Sequence, residues 1–217
     1  MSGYIRLLVT SLIVVLLPLP LQAQNLNIDL GDHWDSPTDA YGAASGQTGR
    51  WNNVESLGVT PNLVDTAAVP TAVSITVTAG VVTGWTGNCV MGDANDLLGD
   101  NVFTFEGTWT VNLAGLTNGI YEVFLYAPGN PAVATGNMLV NGIAIASIPG
   151  DSTCGLSEGV SWVSVTIAVV DGTLSLMGDW AGSGFDYAGL AGLQLRETIF
   201  TDGFESGDTS AWSQTVP

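Results

Sequence analysis

Short runs of alternating apolar and polar residues, each closed by a glycine-bearing turn, fill the chain from Val73 to Arg196 and limit what it can fold into. In "SITVTAG" Val73, Ile75 and Val77 point one way and Ser74, Thr76 and Thr78 the other, the period of two that marks a half-buried strand. "NVFTFEGTWTVNL" sets Phe103, Phe105, Trp109, Val111 and Leu113 against Thr104, Glu106, Thr108, Thr110 and Asn112. "GIYEVFLYAP" follows a "TNG" turn, and "NMLVNGIAIASIPG" carries Asn141-Gly142, a strong hairpin signal. "VSWVSVTIAVVDGTLSLMG" predicts two strands joined by a hairpin turn at Asp171-Gly172, and "AGLAGLQLRE" predicts a closing strand. No window carries a helical period, and the 28 glycines supply the turns. Roughly eight or nine short strands without crossover helices predict an all-β fold, an antiparallel β-sandwich of jelly-roll type.

The ends of the chain read differently. "MSGYIRLLVTSLIVVLLPLPLQAQ" places Arg6 ahead of an apolar run from Leu7 to Leu17, then Pro18, Pro20 and Leu21-Gln22-Ala23. This is the pattern of a secretory signal peptide, with cleavage expected after Ala23. The run is shorter than the ~20 residues of a bilayer span, so no transmembrane segment is expected in the mature chain. The expected organisation is a leader over 1–23, one sandwich over 24–197 and a tail over 198–217. From Gly31 to Pro61 the sequence is rich in Gly, Ser, Asp and Asn with little alternation, and predicts long loops lying against the sandwich.

All 20 acidic residues follow the leader, where only Arg50 and Arg196 oppose them, and Lys is absent. Nucleic acid is excluded as a partner because its phosphates need neutralising cations. Schiff-base chemistry is excluded with lysine. The two cysteines, Cys89 and Cys154, lie in loop-type sequence, and in an exported chain an even pair predicts one disulfide.

The succession "GLTNGIYEVFLYAP", "MLVNG", "VSWVSVTIAVVDGTLSL" and "AGLAGLQL" resembles the galactose-binding-domain-like jelly rolls of secreted bacterial proteins, and "YGAASGQTGRWN" resembles a segment near their start. The resemblance spans Asn25 to Arg196 and implies carbohydrate binding or surface attachment. The tail, "IFTDGFESGDTSAWS", resembles a short motif recurring at the C-terminus of exported Gram-negative proteins. It implies a sorting or attachment signal, with an added edge strand as the alternative.

Candidate ligand contacts follow from strand parity. Core parity for Tyr121, Val123 and Leu125 turns Glu122, Phe124 and Tyr126 outward. Core parity for Val163, Val165, Ile167 and Val169 turns Trp162 outward. Together these four outward residues form a candidate sugar-binding patch, exposed unless the loops of 31–61 lie over it. Trp109 has core parity. A second candidate set lies in loops: Trp85, Trp180, Tyr187 and Asp186. For metal, "GDANDLLGDN" groups Asp93, Asn95, Asp96 and Asp100, hard oxygen donors that suit calcium, although the spacing is not that of an EF-hand. The resemblance also implies a structural calcium. Zinc is disfavoured by one His and two paired Cys.

These observations predict a secreted, non-catalytic module that binds a glycan or cell-surface polysaccharide. The alternative is a structural or adhesive surface protein that binds protein partners. A third reading is a carbohydrate-active enzyme using two carboxylates about 5 to 10 Å apart. No Gly-x-Ser-x-Gly elbow is present, and His33 is the sole histidine.

Overall fold

The structure is a computed structural model that describes residues 24–32, 35–78, 80–84, 92–130, 133–151, 153, 155–180 and 187–198. Strands β1 (Leu26–Leu30), β2 (Trp51–Val54), β8 (Gly119–Tyr126), β12 (Trp162–Val169) and β15 (Gly192–Glu197) form the front sheet, in the order β12-β8-β15-β1-β2. The back sheet holds β3 (Gly58–Thr60), β4 (Ser74–Thr78), β7 (Thr108–Ala114), β10 (Asn137–Val140), β11 (Ile143–Ile145) and β13 (Thr173–Asp179), in the order β11-β10-β13-β7-β4-β3. At one end a smaller sheet, β5-β6-β14-β9, joins β5 (Val81–Gly84), β6 (Asp100–Thr104), β9 (Val133–Ala134) and β14 (Tyr187–Leu190). The fold is an antiparallel β-sandwich of jelly-roll type. Parallel pairing occurs at β1–β2 and β9–β14.

One core fills the space between front and back sheets. Ile28, Tyr121, Val123, Leu125, Leu193 and Leu195 meet Ile75, Val77, Trp109, Val111, Leu113 and Leu176 there. Parity on β4, β7, β8 and β12 is therefore as the alternation predicts. Trp109 is fully buried, donates from Nε1 to the Thr135 carbonyl at 3.3 Å, and packs flat on Gly178. A Cβ on Gly178 would lie 2.3 Å from the indole, so this glycine makes room for the largest core side chain.

Three local expectations differ from what forms. Asn141-Gly142 closes the β10–β11 hairpin, with φ of 46° and 78°, as a type I′ turn requires. Asp171-Gly172 does not close a hairpin: β12 pairs with β8 in front, while β13 pairs with β7 and β10 behind. The turn is an arch between sheets, stacked on the matching arch from β7 to β8. Leu116 N–H donates to the Gly172 carbonyl at 3.0 Å and Gly172 N–H to Asn118 Oδ1 at 2.9 Å. Second, a short helix, α1 (Asp93–Leu98), forms where none was expected. It buries Leu97 and Leu98 but is too short to register as a helical period. Third, β6 turns Val102 and Thr104 inward and leaves Phe105 exposed, the reverse of the parity counted back from Trp109. The bend at Glu106-Gly107, with Gly107 at φ 80°, separates β6 from β7 and resets the count.

In the connection of the parallel β1–β2 pair, residues 41–44 lie over the outside of the front sheet. β1 is consequently buried on both faces, including Asn27 and Asp29.

Candidate functional site

The outer face of the front sheet carries Phe124, Tyr126 and Trp162, as strand parity requires, but it is not open. Phe124 is 5% exposed and Tyr126 fully buried, in a second apolar cluster with Trp51, Leu97 and Leu98. Tyr41, Ala43, Ala44, Leu156 and the half-buried Trp162 pack against it. Of the two alternatives the sequence leaves open, the covered one forms: Tyr41, Ala43 and Ala44, within the 31–61 loops, pack over Phe124 and Tyr126. Trp162 lies 5.7 Å from Phe124, ring to ring, and Tyr41 lies 6.3 Å from Trp51. Glu122 is ion-paired to Arg196, whose guanidinium sits 5.6 Å above the Phe124 ring.

Hydrogen bonds from short polar residues fasten this strap. Ala44 N–H donates to Tyr126 Oη at 3.1 Å, and the Tyr126 hydroxyl donates to Gln194 Oε1. Ser45 Oγ donates to the same oxygen at 2.8 Å. Gln194 Nε2 and Gln47 Nε2 both donate to Asn27 Oδ1, at 2.9 and 2.8 Å. Burial raises the pKa of the Tyr126 hydroxyl, and lifts that of Tyr41 to about 12 with help from the nearby Asp93 charge. Both hydroxyls therefore keep their protons, and Tyr126 remains a donor at any working pH. A buried amide network connected in this way, in which Gln47 Oε1 alone of these amide oxygens has no partner, favours one arrangement of the strap.

Beside the strap lies a carboxylate group that spans β1, α1 and β6. Asp29 and Asp100 are fully buried, and Gly31 allows the approach, since a Cβ there would fall 1.9 Å from Asp100 Cβ. Neither carboxylate oxygen of Asp29 has a hydrogen-bond partner. Its pKa is raised well above the usual carboxylate range, first by burial, then by Asp100 and Asp96. The Ser36 hydroxyl and Leu30 amide temper this from nearby without closing a hydrogen bond to it. Asp96 is raised too, by burial and then by Asp93 and Asp35. Of the four calcium candidates, Asp93 accepts from Thr38 N–H at 2.6 Å and from Thr38 Oγ1 at 3.1 Å, pinning the strap to α1. Asn95 is buried within α1. Among the described residues no three His, Cys, Asp or Glu side chains gather where they could hold a metal ion. Burial and the neighbouring carboxylates Asp100 and Asp96 both favour the neutral form of Asp29.

A third aromatic group stands open, on the small end sheet. Phe103, Phe105 and Tyr187 meet edge to face: Phe105 and Tyr187 at 4.7 Å and 83°, Phe103 and Phe105 at 5.0 Å and 71°, Phe103 and Tyr187 at 5.7 Å and 75°. Phe105 is 53% exposed, and Phe103 and Tyr187 are partly so. Pairing of β6 with β14 sets Phe103 opposite Gly189 and brings the rings together. Trp180 is half-buried against the main core, its N–H donating to the Gly107 carbonyl at 3.0 Å, which ties the β13 exit to the bend after Phe105. Of the two candidates Trp180 and Tyr187, the structure brings Tyr187 into this cluster and Trp180 to the main core, while Phe103 and Phe105 carry core parity in the sequence. The signal that places them is Gly107, a turn residue inside a run otherwise read as one strand. Trp85, Asp186, Cys89 and Cys154 lie outside the described residues, as do the leader and the tail from residue 199.

No protein-family profile matches this chain, and no curated protein does. Among solved structures it is similar to a calcium-binding mutant of Bacteroides uniformis beta-glucuronidase 2, with 13% identity over 81% of this chain and 18% of that one, at a TM-score of 0.47. It is also similar to the plant receptor-like kinase FER, with 13% identity over 82% of this chain and 43% of that one, at a TM-score of 0.44. A family 35 carbohydrate binding module from Clostridium thermocellum matches at 16% identity over 57% of this chain and 92% of that one, at a TM-score of 0.34. The chain spans less than half of the first two structures. At these identities and TM-scores no residue role or ligand carries over.

Proposed function

We propose that this chain is a non-catalytic carbohydrate-binding module working outside the cell, and that it meets its glycan at Phe103, Phe105 and Tyr187. The observation that carries the reading is the exposure of this three-ring cluster, whereas Phe124 and Tyr126 on the outer face of the front sheet are buried. A pyranose offers an apolar face and a rim of hydroxyls, and an aromatic ring with a polar neighbour suits both. A contiguous exposed aromatic group on a soluble fold commonly marks an interaction site. The leader-like N-terminus supports export.

The test is a glycan-array screen of the full chain beside Phe105→Ala. Binding that the substitution removes, with the melting temperature unchanged, supports the reading. Binding that survives it places the site elsewhere.

One observation favours a second reading, a structural or adhesive protein. Both edges of the back sheet present apolar side chains, Val59 on β3 at 65% exposure and Ile143 on β11 at 53%, and an unpaired edge is a template for strand addition. Light scattering that shows association, lost on Val59→Lys or Ile143→Lys, would favour it.

A further inference from the structure

Resting on the glycan reading, we infer that the Phe103–Phe105–Tyr187 site takes a single sugar ring of a neutral, soluble oligosaccharide, and neither a crystalline polysaccharide surface nor an acidic glycan.

The ring angles carry the first half. Binding along the flat face of a packed polysaccharide requires aromatic faces that share a plane, so that successive sugars lie across them. Here every pair of rings is tilted by 71° to 83°, so no two faces are coplanar. Phe105 is the most exposed of the three, and Phe103 and Tyr187 pack against it at steep angles. Such a cluster offers one face to one pyranose. Of its three side chains only Tyr187 carries a hydroxyl to engage the sugar's rim.

Charge carries the second half. A carboxylated or sulfated sugar needs a cation, best a guanidinium fork. After the leader the chain has only Arg50 and Arg196. Arg196, on β15 of the front sheet, is bound to Glu122 over the Phe124 ring. Arg50 lies 3.9 Å from Asp39, beside the strap and lining an open cleft of about 580 Å³ with Ser36, Thr38, Trp51 and Asn53. The charged residues on or next to the segments that carry the trio are acidic: Asp100 on the strand of Phe103, Glu106 next to Phe105, and Asp186 next to Tyr187 in the sequence. With a formal net charge of −17, the field at the site opposes an anionic ligand from a distance as well as at contact.

The experiment is titration calorimetry of the full chain with neutral gluco-, xylo- and galacto-oligosaccharides of one to six units. Pull-down on crystalline cellulose and chitin, and affinity electrophoresis in polygalacturonate and chitosan, complete it. The expected result is that whichever neutral series binds reaches full affinity within about two sugar units and changes by less than twofold between low and high salt. Crystalline polymers and polygalacturonate should fail to retain the chain. Phe105→Ala should abolish binding, and Tyr187→Phe, which keeps the ring, should weaken it several-fold. Affinity that keeps rising to six units, retention on a crystalline polymer, binding to polygalacturonate, or salt-sensitive preference for chitosan would each overturn the inference while leaving glycan binding intact. Silence of a folded chain toward every probe would overturn the glycan reading, and the inference with it.

Discussion

Two aromatic groups sit on the outside of this sandwich and are treated in opposite ways. On the front sheet, Phe124 and Tyr126 stand outward and are then roofed by a strap with little apolar character, with Trp162 half-buried beside Phe124. On the end sheet, Phe103, Phe105 and Tyr187 pack on one another and Phe105 stays 53% exposed. Parity alone would have ranked them the other way. An outward side chain becomes a surface only if no later segment comes to lie on it, and a strap held by Ser45, Gln47 and the Ala44 amide does so without any hydrophobic period of its own.

The contrast can be broken most strongly on the covered side. Tyr126→Ala removes a buried ring and strands Gln194 and the Ala44 amide, and should destabilise the fold by about 4 kcal/mol, read by chemical denaturation. Next, Gln194→Ala leaves Asn27, Ser45 and Tyr126 short of a partner at a cost of about 1–3 kcal/mol. A smaller loss there would mean that the strap is held by its apolar contacts instead.

A pH series examines the carboxyl group beneath the strap. Asp29 holds its proton in the folded state at pH values where the unfolded chain, near the ordinary value of about 3.9, has released it. The folded state then binds more protons than the unfolded one, so this group's contribution falls as pH rises above the unfolded value. Asp29→Asn, which is neutral throughout, should flatten the decline of melting temperature from mildly acidic to alkaline pH. An unchanged slope would remove Asp29 as its source. The smallest stability effect belongs to the open side: Phe105→Ala should shift unfolding by no more than about 0.5 kcal/mol.

The sequence declared the strands more readily than their surroundings. Period-two runs put Tyr121, Val123, Ile167 and Trp109 in the core, where they are. Asp171-Gly172 looks the same whether it closes a hairpin or an arch, because the choice depends on which distant strand β12 pairs with. Alternation counted through Gly107 turns Phe103 and Phe105 inward, but its positive φ ends one strand before the next begins. Asp29 carries no local signal, because its neighbours Asp96 and Asp100 are many residues away in the sequence.

The most direct test of the account sets Phe105→Ala against Trp162→Ala in one experiment, with glycan retention and melting temperature both recorded. The account expects Phe105→Ala to lose retention at an unchanged melting temperature, and Trp162→Ala to melt earlier yet still bind while folded. Retention lost in Trp162→Ala at full stability, and kept in Phe105→Ala, would contradict it and return the site to the front sheet.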